Sequence, residues 1–476
     1  MHQLNIAALV VASLLFLLIG VSSAATRAPA DTAAAERWAG VIELPGLELE
    51  FSVTFTDDGG ASIDIPLQGV AGLALEDVAR EPERLAFTLA PQGSPAVAVF
   101  QLERESGAAE AVGTISQAGQ TFPVRMRRLE ADGEVGPRRP QHPKRPFPYE
   151  EREVEIENAA GGVTLAGTLT IPDSRGPHPA VIFITGSGPQ DRDETLFGHK
   201  PFLVISDHLT RRGVATLRLD DRGVGGSTGS VMNSTSEDFV SDVLAAVDFL
   251  KATPGINSGR IGLIGHSEGA IVAPMAATER PDDIAFIVLL AGTGLPGGEI
   301  LVMQLQDILR ASGVSEESIE RQIAHQRRML GHLAAGEDAA ATEALRELIK
   351  EQAGPGATDA QIDEVLENNL AQINSPWFRS FIPLDPREFL KQTRCPVLAL
   401  CGSLDLQVPA EANLTAIRTA LREAGNQDVT ILELEGLNHL FQTARTGLPG
   451  EYGSIEETFA PQALDIVAEW VEEQSR

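Results

Sequence analysis

Five residues carry the first chemical signal: Gly265-His266-Ser267-Glu268-Gly269, set between the apolar run Ile261-Gly262-Leu263-Ile264 and the stretch Ala270-Ile271-Val272-Ala273. A serine at a junction of strand, turn and helix is forced into strained backbone geometry that lifts its hydroxyl clear of the sheet. Small residues two positions away on either side let the chain cross closely there. Given a base to take its proton, such a serine attacks a carbonyl carbon and forms an acyl-enzyme. In a chain with 45 glycines among 476 residues the pentapeptide is expected about 0.2 times by chance, so its flanks and its partners must carry the argument.

The partners depend on the elements that present them. From residue 151 onward, strand and helix signals alternate, as in a mostly parallel sheet. Strands are expected at 152–157, 163–171, 180–185, 214–219, 261–265, 285–290, 397–401 and 429–434, with helices at 202–212, 236–251, 268–278, 410–424 and 460–473. A serine turn after the fifth of eight strands is the arrangement of an α/β-hydrolase fold, whose triad follows in the order Ser, Asp or Glu, His, beyond the carboxyl ends of the strands. Of the nine histidines, only His439 follows the last core strands, in the loop directly after 429–434. The loop after 285–290, Ala291-Gly292-Thr293-Gly294, offers no carboxylate, whereas the next strand leads into Gly402-Ser403-Leu404-Asp405. Asp405 therefore takes the role of the acid that orients the base, and Glu411, its nearest rival, falls inside the following helix.

The oxyanion of a tetrahedral intermediate needs two preorganised donors, one from the residue after the nucleophile and one from the loop after the third strand. The amide of Glu268 is the first. Thr185-Gly186-Ser187-Gly188-Pro189 supplies the second, with Ser187 favoured and Gly188 next. Between 293 and 390 the strand rhythm stops and helical patterns take over, in 299–312, 315–335 and 338–352; about a hundred residues are too many for a bare loop, so a helical cap is expected at 295–390. Trp377, Phe378 and Phe381 in that cap are candidates for an acyl pocket or for the cap's own core.

Four stretches together, Gly186-Ser187-Gly188-Pro189-Gln190-Asp191-Arg192-Asp193-Glu194, Asp220-Asp221-Arg222-Gly223-Val224-Gly225-Gly226-Ser227, the serine turn, and Ser375-Pro376-Trp377-Phe378, resemble those of bacterial carboxylesterases of the α/β-hydrolase superfamily. The likeness spans most of 151–476 and leaves out everything before it. It implies an exported serine esterase with Ser267 as nucleophile, His439 as base and Asp405 as orienting acid, in a group whose members are sometimes labelled aminopeptidases of the prolyl type. The charged residues Asp191, Arg192, Asp193, Asp221 and Arg222 form two loops near the expected mouth, where they brace each other, fix the oxyanion loop or touch substrate.

The remainder of the chain sets bounds. A net charge of -30 repels polyphosphate and argues against a nucleic-acid partner. The apolar run from Ile6 to Ile19, followed by Val21-Ser22-Ser23-Ala24-Ala25, reads as a signal peptide over 1–25 and predicts export, with an uncleaved N-terminal anchor as the alternative. After cleavage no segment approaches the length of a membrane span. Residues 36–130 read as a small β-rich domain of short alternating strands, and 131–149, dense in proline, as a linker to a hydrolase domain at 150–476. Cys395 and Cys401 bracket one strand and are too far apart along it to form a disulfide. No metal-ligand cluster, phosphate loop or dinucleotide motif is found, so no cofactor is implied. The expected substrate is a small-molecule ester, and oligomeric state is left open. The competing readings are a prolyl-type aminopeptidase and, from another class, a binding protein on a hydrolase scaffold.

Overall fold

Alternating apolar and polar side chains build the first sheet. In the computed structural model, which describes residues 36–44, 47–57, 59–65, 70–90, 97–117, 120–129, 138–354 and 357–476, the chain divides into two compact units at Arg138 and Arg139, with 196–198 grouped in the first. The expected leader at 1–25 and the first part of the proline-rich stretch lie outside the described residues. The first unit holds β1 (Glu36–Leu44), β2 (Leu47–Phe55), β3 (Ala61–Ile65), β4 (Val70–Ala74), β5 (Glu76–Arg80), β6 (Arg84–Leu89), β7 (Ala98–Glu103), β8 (Glu110–Gln117) and β9 (Gln120–Arg128). They form one antiparallel nine-stranded sheet in the order β4-β3-β2-β1-β9-β8-β7-β6-β5.

Because β1 pairs with β9 as well as β2, the two ends of this meander meet, and its one interruption falls between β4 and β5, which are joined through Leu75. The buried side of the alternation is aromatic: Trp38, Phe51, Phe55, Phe87 and Phe100 are each at most 1% exposed. Phe87 stacks on Phe100 with ring centroids 4.6 Å apart. Gly40 is required by this packing, since a Cβ there would run into the Phe51 ring.

The second unit starts with the remainder of the proline-rich segment, which is pinned rather than free: Arg139 donates to the carbonyls of Gly453 and Ile455, and Gln141 exchanges hydrogen bonds with Thr458 and Phe459. Its sheet contains β10 (Tyr149–Asn158), β11 (Val163–Pro172), β12 (His178–Ile184), β13 (Ala215–Leu219), β14 (Ile256–His266), β15 (Phe286–Leu290), β16 (Val397–Gly402) and β17 (Val429–Leu434), in the order β10-β11-β13-β12-β14-β15-β16-β17. The strands from β13 across to β17 run parallel, and β10 and β11 are antiparallel. This is the α/β-hydrolase fold.

Central strands buried on both faces read as unbroken apolar runs rather than alternation, as in Phe286-Ile287-Val288-Leu289-Leu290. One face is covered by α1 (Pro201–Arg211) and the last helix, α11 (Pro461–Gln474). The other is covered by α2 (Ser236–Ala252), α3 (Gly269–Glu279) and α10 (Ala410–Glu423). Between β15 and β16 the chain leaves the sheet for α4 (Gly297–Ala311), α5 (Glu316–Ala334), α6 (Asp338–Ala353), α7 (Asp359–Ile373) and α8 (Pro376–Phe381), followed by the single turn α9 (Arg387–Leu390). The helices from α4 to α8 share an apolar cluster of their own, including Leu309, Ile323, Leu345, Leu366 and Trp377. No helix among the described residues is long and apolar enough to cross a membrane.

Candidate active site

Ser267 sits between β14 and α3 with φ +54, a left-handed conformation that costs a side-chain-bearing residue of order 1–3 kcal/mol and persists only where the surroundings impose it. They do so here. The Ser267 amide donates to the Leu290 carbonyl at 2.9 Å, and the two flanking glycines lie where no Cβ fits: one on Gly265 would strike the Gly269 carbonyl, and one on Gly269 the Ile184 carbonyl. The turn is thus locked against the neighbouring strands β12 and β15, which is why its glycines sit two positions to either side.

Asp405 and His439 stand beyond the ends of β16 and β17 and meet there. His439 Nδ1 lies 2.8 Å from Asp405 Oδ2, and both residues are buried. The other carboxylate oxygen of Asp405 accepts the amides of Gln407 and Val408, each at 2.8 Å, so the acid is held from three sides. The loop that carries His439 is pinned from within: Asn438 Oδ1 accepts the amides of Leu440 and Gln442, and Asn438 Nδ2 donates to Gln442 Oε1 at 2.9 Å. His439 is drawn to the serine turn by His266, whose Nε2 donates to the His439 carbonyl at 3.0 Å, with the two rings 4.7 Å apart. No direct hydrogen bond joins the Ser267 hydroxyl to the His439 ring among the described residues; such contacts are often long before substrate binds.

The loop after β12 passes beside the serine. A Cβ on Gly186 would lie 3.3 Å from that of Ser267. The Gly186 amide is committed to Glu194 Oε1 at 2.8 Å, which removes it from the possible oxyanion donors. Asp221 clamps the loop: one carboxylate oxygen accepts the Thr185 hydroxyl at 2.6 Å and the other the Gln190 amide at 2.9 Å, while the Asp221 amide donates back to the Gln190 carbonyl. The amides of Ser187 and Glu268 have no protein acceptor among the described residues.

The charged loops brace one another. Arg192 grips Asp220 through Nε and Nη2, at 3.0 and 2.7 Å. Arg222 does the same to Asp242, and Asp193 pairs with Arg218 and Lys200. Asp191 turns inward to accept the amides of Asp193 and Thr195. Of the five charged residues singled out from sequence, Asp221 is the one that holds the oxyanion loop directly.

The cap reaches the serine turn through Trp377. Trp377 Nε1 donates to the Glu268 carboxylate, 3.1 and 2.9 Å from its two oxygens, and Ser236 Oγ donates to it at 3.4 Å. Phe378 instead packs into the cap's own cluster and Phe381 into the core beneath α3 and α10. Burial pushes the Glu268 carboxyl above the usual carboxylate range, against the pull of its neutral donors. Burial does the same to Asp221, raised well above that range, and the nearby Glu194 and Glu268 add to it. Sequence reasoning missed Glu194 and His266 as parts of the site, although the first stands in the loop after β12 and the second immediately before Ser267; an acid in the loop after one strand and a base at the end of its parallel neighbour were the available signal.

The sequence model of a family described as X-Pro dipeptidyl-peptidase (S15 family) matches residues 161–433, a span that contains Ser267 and Asp405 and stops just short of His439. Esterase EstD of Thermotoga maritima is 26% identical over 330 residues, 68% of each chain. Among solved structures, the Pyrococcus furiosus esterase Pf2001 aligns with a TM-score of 0.43 at 16% identity, covering 69% of this chain and 92% of that one. Est1E from Butyrivibrio proteoclasticus, solved with ferulic acid bound, aligns with a TM-score of 0.38 at 19% identity, covering 67% and 96%. The family match takes in more than half of the chain, from β11 through the serine turn and the cap to β17. The chain therefore belongs to the X-Pro dipeptidyl-peptidase (S15) family and is a hydrolase of the α/β-hydrolase superfamily, akin to its serine carboxylesterases.

Proposed function

We propose that this enzyme cleaves small-molecule carboxylic esters through an acyl-enzyme formed on Ser267, with His439 as general base and Asp405 as the acid that orients it. His439 takes the proton of the serine hydroxyl as the oxygen attacks the ester carbonyl, then delivers it to the departing alcohol, and water repeats the sequence to release the acid. The amides of Glu268 and Ser187 would receive the oxyanion, each such donor being worth about 3 kcal/mol of barrier. The observation that carries this reading is the His439–Asp405 hydrogen bond of 2.8 Å, held beside the strained serine turn. It leaves His439 Nε2 as the nitrogen available to a serine.

A second reading, a prolyl-type aminopeptidase, is favoured by the description of the matched family. An aminopeptidase must anchor a free amine with a carboxylate near the nucleophile. The carboxylate next in sequence to Ser267, that of Glu268, is occupied by Trp377 and Ser236, which puts the ester reading first. Turnover of a short-chain aryl ester set against a proline anilide separates the two: faster anilide cleavage would overturn the ester assignment. A fluorophosphonate probe tests the nucleophile itself, since only a live serine is labelled, and an unlabelled protein would mean a binding protein on a hydrolase scaffold. Export follows from the leader at 1–25 and is checked by sequencing the N-terminus of the mature protein.

A further inference from the structure

His266 is buried, and each of its ring nitrogens faces an acceptor. Nδ1 lies 2.9 Å from Glu194 Oε1 and Nε2 lies 3.0 Å from the His439 carbonyl. A carbonyl can only accept, so Nε2 carries a proton; Nδ1 faces a carboxylate, so the pair as a whole holds one proton more than a neutral imidazole beside an ionised acid. Glu194 Oε1 also accepts the Gly186 amide at 2.8 Å. A continuous chain results: oxyanion loop to Glu194, Glu194 to His266, His266 to the backbone of His439.

The surroundings keep this chain dry. Phe202 and Ile205 of α1, Leu290 at the end of β15 and Phe441 enclose the pair and leave a cavity of about 10 Å3, no more than one water molecule occupies. The charged or titratable groups that face His266 are Glu194 from the loop after β12, Asp405 from the loop after β16 and His439 from the loop after β17. Glu194 itself has φ +53, a strained backbone that its surroundings must hold in place.

Building on the triad reading above, we propose that Glu194 and His266 are positioning residues: one buried ion pair fixes the oxyanion loop and the loop of the general base to the serine turn at the same time. Neither touches substrate. Burial opposes the imidazolium of His266, and the Glu194 carboxylate outweighs it, so the ring holds its proton above the ordinary histidine range. The double link is therefore complete below the raised value and is lost as pH rises through it, when one nitrogen must give up its donor.

Glu194→Gln tests this, because it keeps an acceptor for Gly186 while leaving His266 neutral and able to donate to one partner only. The expected result on an aryl ester is a fall in kcat of about ten- to a hundredfold, a KM changed by less than about threefold, and an alkaline limb of kcat moved to lower pH; Glu194→Asp, which retains the charge, restores that limb. Wild-type kcat with an unmoved limb in Glu194→Gln overturns the proposal. A measurement on the unaltered enzyme needs no variant to fold: nitrogen NMR of labelled histidines followed with pH should show one ring that keeps both of its nitrogen protons to higher pH than ordinary histidines do, and a titration in which no histidine does so overturns it equally. Failure of the triad reading is distinct, since it would appear as undiminished turnover in Ser267→Ala.

Discussion

Both sheets of this protein have a buried interior, yet they bury different things. The interior of the first unit is apolar and aromatic, with Phe87 and Phe100 stacked in it. At the carboxyl ends of β12, β14, β16 and β17 in the second unit, the buried side chains include Glu194, His266, Glu268, Asp405 and His439. Apolar burial stabilises a fold by removing surface from water, whereas each buried ionisable group costs free energy unless it is paired. A region that buries ionisable groups while the core of the other unit does not is being held for chemistry rather than for stability.

The contrast can be broken by measurement. Ser267→Ala should lower kcat on an aryl ester by about 10^4-fold or more while leaving thermal unfolding essentially unchanged; retained activity would end the assignment of the nucleophile. Asp405→Asn keeps the shape but leaves His439 in the wrong tautomer, and kcat should drop by about 10^4-fold, read on the same ester. Phe87→Ala in the first sheet reverses the pattern. Unfolding of that unit should lose about 3–5 kcal/mol, followed by denaturant melts, while kcat per folded molecule stays within about twofold.

Glu268 has a raised carboxyl pKa in the folded state, so the native protein binds more protons than the unfolded chain between the unfolded and folded values, and stability falls as pH rises through that window. Glu268→Gln removes the buried charge. Its melting temperature should exceed that of the wild type at pH 8 by more than at pH 5, measured by calorimetry across that range. A variant less stable than the wild type at pH 8 would mean that Glu268 is not an electrostatic burden carried for the site.

The fold and the triad candidates were legible because their signals are local or ordinal. Gly265 and Gly269 mark the serine turn by the space they leave, the apolar run of β15 declares a strand buried on both faces, and His439 and Asp405 are picked out by where they fall in the order of strands. Bracing is one of several options the sequence leaves open for the charged loops, and the structure resolves it residue by residue: Arg192 to Asp220, Arg222 to Asp242, Asp221 to the loop after β12. Trp377 was named for a pocket, but its bond to Glu268 could not be read, because nothing in a helical pattern states which side chain of a cap reaches the sheet.

By itself the sequence determined which residues are chemically able to act and on which strand ends they lie, since turn geometry and strand burial are encoded within a few neighbouring positions. Only the tertiary structure decided which of them meet. Glu194 and His266 are 72 residues apart, and His266 and His439 are 173 apart. Their contacts exist because β12, β14 and β17 end at the same edge of one parallel sheet, and the order of strands in that sheet, β12 beside β14 and β17 at its end, is fixed by long-range packing rather than by any local pattern of side chains.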